Sequence, residues 1–253
     1  MDIRSLTPQQ AAGNTLAKHF QLKDKIALVT GGGRGIGRHI ALAMASEGAD
    51  VVIVARTERE IKPAADEVIA LGRRALAIPT DVSNEASVAA CVASAERAFG
   101  RVDILVNCAS VTYIEPLVST TAEQWRRTMD VNVTGAFLLT KAVLPGMLRR
   151  NEGRVIMIAS TAGLDGVPNF SAFSASKFAV IGLTRALARE IEESAVTVNA
   201  LCPALVGTKG GAPKPARGRK AKPTSDIADV AVFLASEAAR AVTGAAIEVS
   251  WRT

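Results

Sequence analysis

Ile26-Ala27-Leu28-Val29-Thr30-Gly31-Gly32-Gly33-Arg34-Gly35-Ile36-Gly37 joins an unbroken apolar run to a loop holding five glycines in eight residues. Four apolar residues in a row are too few for a helix and read as a buried strand, which the glycines end. Past the loop, Ile36, Ile40, Ala43 and Met44 recur at helical spacing, and Asp50-Val51-Val52-Ile53-Val54-Ala55 is a second apolar strand. Strand, glycine loop, helix and strand within about thirty residues make a βαβ unit. Glycines at such a junction let the main chain approach a pyrophosphate, while the helix's free N–H groups and dipole favour negative charge there.

The same alternation continues outward. Helices are expected at 58–71, 85–99, 122–149, 171–192 and 225–239, and strands at 75–78, 103–106, 154–159, 197–201 and 246–249. Seven strands that are apolar rather than alternating need cover on both faces, so the expected fold is α/β: a doubly wound, Rossmann-like seven-stranded parallel sheet with helices on both sides. Ligands of such sheets lie at the carboxyl ends of the strands. Residues 1–25 read as a polar N-terminal extension with a short helix near 15–20, and 26–253 as a single dinucleotide-binding and catalytic domain. A basic loop at 206–224, with four glycines and three prolines, interrupts the rhythm.

Composition narrows the function. With 49% hydrophobic residues in 253, the chain can bury one substantial core. The net charge of +6 is local, because Lys209, Lys214, Arg217, Arg219, Lys220 and Lys222 supply it while no acid occurs from Ser194 to Ser225. A nucleic-acid surface would need basic charge spread over a face, so none is expected. Cys91, Cys108 and Cys202 are dispersed and the histidines are only His19 and His39, which argues against a disulfide framework, a metal site or a histidine-based hydrolase. No apolar run approaches the ~18 residues that span a bilayer. A cytoplasmic protein without membrane contact is expected.

The end of the second strand chooses the cofactor. An acidic residue there would accept from an adenosine ribose hydroxyl, whereas arginine accommodates a 2′-phosphate. Arg56 follows Ala55, and Arg34 lies in the glycine loop, so NADP(H) is favoured over NAD(H).

Thr30 to Gly37 matches the Thr-Gly-x-x-x-Gly-x-Gly motif of the short-chain dehydrogenase/reductase family, and the chain resembles that family from about Leu22 to Val249, in the roughly 250-residue soluble subtype similar to 3-oxoacyl-carrier-protein reductases. The resemblance implies cofactor contacts from Thr30, Gly31, Arg34, Gly35, Ile36, Gly37 and Arg56, and from Asp81 and Val82 near the adenine. It implies further contacts from Asn107 in Asn107-Cys108-Ala109-Ser110, where two positions depart from the family's Asn-Asn-Ala-Gly, and from Pro203 and Thr208, with Ala204 replacing a glycine. Four catalytic positions map onto Asn132, Ser160, Phe173 and Lys177. The family's serine precedes its tyrosine by thirteen positions and its lysine follows by four, the spacings of Ser160, Phe173 and Lys177 here.

Phe173 therefore stands where the family has its proton donor. Hydride delivery to a carbonyl builds charge on oxygen, which a phenol with a neighbouring ammonium can neutralise and a phenyl ring cannot. By the resemblance, Lys177 would also bind the nicotinamide ribose, Ser160 would orient the substrate oxygen, and Asn132 would hold a water in the proton relay. Tyr113, the only tyrosine, is a candidate substitute acid. The expected activity is hydride transfer between NADP(H) and a small-molecule ketone or secondary alcohol, weakened by Phe173. The alternatives are a cofactor-binding, non-redox regulatory or assembly protein, or a lyase or isomerase on the same fold. The basic loop could attract a substrate on a phosphorylated carrier, and the resemblance implies a homo-oligomer, tetramer or dimer, formed through the two long helices.

Overall fold

The apolar run at 26–30 forms β1 (Ile26–Thr30), buried at every residue. Ile26 and Leu28 enter one core while Ala27 and Val29 enter another, so the strand has no solvent face and needs none of the polar alternation of an open sheet. The computed structural model describes residues 19–204 and 224–250. In these, the remaining strands are β2 (Asp50–Ala55), β3 (Ala75–Pro79), β4 (Ile104–Asn107), β5 (Gly153–Ile158), β6 (Val196–Pro203) and β7 (Ala246–Val249). All pair in parallel, in the order β3-β2-β1-β4-β5-β6-β7. The expected sheet is thus present in full.

The connecting helices are α1 (Gly35–Ser46), α2 (Glu58–Ala70), α3 (Glu85–Phe99), α4 (Ala122–Met129), α5 (Gly135–Arg150), α6 (Ser171–Glu190) and α7 (Ser225–Ala235). Ile40 and Met44 of α1, Ile61 and Val68 of α2, and Ile227 and Val232 of α7 fill the core on one face. Val88 and Cys91 of α3, Leu139 and Val143 of α5, and Val180 and Leu187 of α6 fill the other. At about 1.5–3 kcal/mol per buried large apolar side chain, these two layers supply the main stabilisation. Strand order reverses between β1 and β4, which run side by side with Val29 opposite Val106. The crevice beyond their carboxyl ends is where such a fold receives a ligand.

Several expected helix bounds are corrected. The single helix expected at 122–149 is interrupted by a π-turn at Asp130–Thr134, which adds a residue to the turn and carries Asn132 inward. The helix expected to reach 239 stops at Ala235, because Ser236 accepts the Ala238 N–H and starts a 3-10 turn instead. Helix α6 likewise stops at Glu190 rather than 192. Strand β6 runs on to Pro203, where it still pairs with Val249.

The stretch Ala122–Arg150 is, by length and composition, apolar enough to cross a membrane, contrary to the expectation that no run comes near that length. More than half of its apolar window is buried within the fold, with Leu139, Val143 and Met147 in the core between α5 and the sheet. Only His19 and Phe20 of the expected N-terminal helix, and only Thr224 of the basic loop, fall among the described residues. Thr208 and residues 251–253 lie outside them.

Candidate functional site

Thr30 closes β1 and staples it to β4. Its hydroxyl donates to the Val106 carbonyl (3.3 Å) and accepts the N–H groups of Cys108 (2.9 Å) and Ala109 (3.0 Å), so one buried side chain holds both strand ends at the switch point. Gly31 then turns with φ of +64°, a conformation few side chains adopt. A Cβ on Gly37 would lie 2.3 Å from the Gly31 carbonyl oxygen, so the helix start packs against the loop only because that position is glycine. Gly35 opens α1, and Ile36 is half-buried beneath the turn.

The N-terminus of α1 has no side-chain cap and no acidic residue in its first turn. Its free N–H groups suit an anion. Asn107 lines the adjoining cleft together with Thr30, Val82 and Ala109. Its amide donates to Thr140 Oγ1 (3.1 Å) and Met157 Sδ (3.3 Å), while its Oδ1 is buried without a partner among the described residues. A polar atom left this way calls for a donor from a ligand or water. Arg34 and Arg56 flank the loop, exposed, with no hydrogen bond or ion pair from their side chains to any described residue.

Farther along the cleft, β5 ends and Ser160 follows in extended conformation, its hydroxyl accepting the Ala162 N–H (3.2 Å) and reaching the Pro203 carbonyl (3.4 Å). Lys177 is almost completely buried and donates to the Ile158 carbonyl at 2.8 Å, leaving two N–H donors without a partner among the described residues. The glycine at 163 lets this happen, since a Cβ there would come within 2.8 Å of Lys177 Cβ. Burial pulls the Lys177 pKa down to about 8, against a smaller opposing effect from Cys108 and then Cys202. The Phe173 ring lies one turn earlier on α6, its centre 5.3 Å from Lys177 Nζ, and meets Phe170 edge-on.

Asn132, expected to hold a relay water, has its side chain otherwise engaged. Oδ1 accepts the Val111 N–H (2.8 Å), and Nδ2 donates to the Val111 carbonyl (3.0 Å) and to Ser176 Oγ (3.0 Å). Ser176 in turn donates to the Phe173 carbonyl at 2.7 Å. Val111 and Ser176 were not legible as site residues: Val111 acts through its main chain, and Ser176 gives no signal beyond its place beside Lys177. Tyr113 is exposed on the loop after β4. Asp81 sits at the β3–α3 junction, bound by Ser83 and faced by Arg127, neither of which the sequence singled out.

The family model for short chain dehydrogenases matches residues 25–217. The chain belongs to the short-chain dehydrogenase family. As a member, it is an oxidoreductase that uses a nicotinamide cofactor, and the glycine loop, with the Asn107 oxygen and the two Lys177 donors that have no partner among the described residues, fits such a group. A 2-(S)-hydroxypropyl-CoM dehydrogenase of Xanthobacter autotrophicus is 36% identical over 245 residues, covering 90% of this chain and 96% of its own. A 3-oxoacyl-[acyl-carrier-protein] reductase of Synechocystis is 40% identical over 188 residues, covering 74% and 76%. Among solved short-chain dehydrogenase-like structures, NAD+-bound xylitol dehydrogenase superposes with a TM-score of 0.84 at 28% identity, covering 90% of this chain and 98% of that one.

Proposed function

We propose that this short-chain dehydrogenase interconverts a ketone and a secondary alcohol with NADP(H), and that Phe173 holds its turnover far below what the rest of the site could support. The cofactor when bound supplies or accepts the hydride. Everything else is the work of the chain.

The observation that carries this reading is the grouping of Ser160, just past β5, with Phe173 and Lys177 in the first turns of α6, Lys177 being buried, with one of its three donors partnered among the described residues, and beside an aromatic ring that has no hydroxyl. Lys177 is the residue for the nicotinamide ribose, its two spare donors matching two hydroxyl acceptors. Ser160 orients the substrate oxygen. Asn132, its side chain held by Val111 and Ser176, locks the loop after β4 against α6. Phe173 supplies a wall and excludes water, but donates no proton. General acid catalysis is typically worth about 10²- to 10⁴-fold, and that is the deficit expected here.

For NADP(H), the support is Arg56 at the end of β2 and Arg34 in the loop, both exposed and unpaired among the described residues. Thr30, Gly31, Gly35, Ile36, Gly37, Asp81, Val82, Asn107 and Pro203 complete the proposed cofactor contacts. Thr208 belongs to the same proposal. A carrier-bound substrate is in keeping with a relative named for an acyl-carrier-protein substrate. A homo-oligomer is in keeping with exposed Phe137 and Leu148 on one face of α5 and exposed Phe178 on α6. Three cysteines without disulfides suit a cytoplasmic protein.

The test is Phe173→Tyr assayed with NADPH on a panel of ketones. Restoration of turnover by about 10²-fold or more, at unchanged NADPH affinity, supports the reading. If neither form turns over any ketone while both bind NADPH, the redox assignment for this site is wrong.

A further inference from the structure

The β3–α3 junction carries a hydrogen-bonded arrangement that the reading above leaves unused. Ser83 donates to one oxygen of Asp81, Oδ1, from both its N–H (3.0 Å) and its hydroxyl (2.6 Å). Arg127, reaching over from the last turn of α4, donates through NH1 to Ser83 Oγ at 3.1 Å, and its NH2 lies 3.7 Å from Asp81 Oδ2. The Asp81 N–H is tied to Ser87 Oγ (3.2 Å) and its carbonyl accepts the Asn84 N–H (3.1 Å), so the main chain of the turn is fixed as well. One carboxylate oxygen is consumed. The other, Oδ2, faces a guanidinium at ion-pair distance and receives no hydrogen bond from any described residue.

An ionised carboxylate can only accept, so Oδ2 suits a ligand N–H and repels a ligand carbonyl. Burial pushes the Asp81 pKa up, but the Ser83 hydrogen bonds and the charges of Arg127 and then Arg56 outweigh it, and the group stays ionised to lower pH than usual. The serine hydroxyl spends its proton on Asp81 and its lone pair on Arg127, which gives the three groups a single direction of donation, from Arg127 to Ser83 to Asp81.

We propose that Arg127, acting through Ser83, aims Oδ2 of Asp81 at the exocyclic amine of the cofactor's purine and makes the site select a 6-aminopurine over a 6-oxopurine. This rests on reading Asp81 as the adenine contact. Arg127 is a positioning residue, since it acts through Ser83 and Asp81. Helix α4 suits it to this work because the helix is tied down elsewhere: a Thr121–Gln124 capping box fixes its start, and Gln124 also donates to Glu115 at 3.2 Å.

The test measures dissociation constants of NADPH, its hypoxanthine analogue and reduced nicotinamide mononucleotide. The proteins are wild type, Arg127→Ala, Arg127→Lys, Ser83→Ala and Asp81→Asn. Arg127→Ala and Ser83→Ala are each expected to weaken NADPH by about threefold to fivefold, the size exposed ion pairs supply, while leaving the other two ligands unmoved. The hypoxanthine analogue carries the same charge as NADPH, so a general loss of attraction for an anion would weaken both alike. Arg127→Lys, which keeps the charge, should recover part of the loss. Equal weakening of all three ligands, or an unmoved NADPH affinity in Arg127→Ala and Ser83→Ala, overturns the proposal. If only Asp81→Asn erases the purine preference, the adenine reading stands and the role of Arg127 falls. If Asp81→Asn keeps the preference, the adenine reading itself falls.

Discussion

The ammonium of Lys177 lies 5.3 Å from the centre of the Phe173 ring, one helical turn away, and is anchored by the Ile158 carbonyl. The aromatic face favours the cation, while burial disfavours it. Burial wins, and the lysine titrates near pH 8 rather than in its ordinary range.

That depressed pKa has a signed consequence for stability. In the unfolded chain Lys177 holds its proton to about pH 10.4, whereas in the fold it begins to release it near 8. The unfolded state therefore binds more protons between these values, and stability rises with pH across the window; below pH 8 the full cost of the buried charge is borne. Urea unfolding of the cofactor-free protein from pH 7.5 to 10 should show wild type gaining on Lys177→Met as pH rises. Parallel curves would mean that Lys177 keeps its proton.

The Asn132 anchor should cost much more to break than its single side chain suggests. Asn132→Ala strips the Val111 N–H and carbonyl of their partners and leaves the Ser176 hydroxyl without its donor. At about 1–3 kcal/mol for each buried group left unsatisfied, and with Val111 only partly buried, a loss of about 2–3 kcal/mol is expected by denaturant titration. Ser176→Ala should cost about 1 kcal/mol. The loss in the double variant should fall short of the sum of the two single losses, since Asn132 and Ser176 share a bond.

These residues also mark where reading the sequence ran out. The strands were legible because most are short, largely apolar runs without polar alternation, and β2 and β7 match their expected bounds. The glycine loop was legible because it is contiguous, and the spacing of Ser160, Phe173 and Lys177 because one strand and one helix carry all three. Asn132 was found by register, but what its side chain does depends on a π-turn, which has no hydrophobic period to betray it. Arg127 and Ser83 are forty-four positions apart, and a contact at that separation between ordinary polar residues leaves no trace in a single sequence.

Gly37→Ala tests the proposed cofactor loop with one methyl group. The new Cβ would meet the Gly31 carbonyl oxygen at 2.3 Å and its carbon at 2.7 Å, both main chain, so the loop rather than a side chain must move. Displacing the turn misdirects the N–H groups at the start of α1, and NADPH binding should drop below detection while far-UV circular dichroism stays that of wild type. Normal NADPH binding by the variant would show that the loop is not where the pyrophosphate sits.

In the proposed NADP(H) reading cofactor choice turns on Arg56, and the similar xylitol dehydrogenase structure, with NAD+ bound, shows that the fold by itself does not decide the matter. A guanidinium on a 2′-phosphate makes charge-assisted hydrogen bonds that NADH has no group to accept. Arg56→Ala should therefore weaken NADPH by about ten- to a hundredfold, the range for hydrogen bonds to charged groups, and NADH much less. The charge of Arg56 also reaches Asp81, so some loss common to both cofactors is expected through the adenine end. The ratio of the two affinities removes that shared part. Arg34→Ala, one loop away, should move the ratio in the same direction by less, because Arg34 caps the helix start with its main chain and its side chain extends from the loop. If Arg56→Ala lowers both affinities by the same factor, the 2′-phosphate contact is misassigned and the preference for NADP(H) loses its main support.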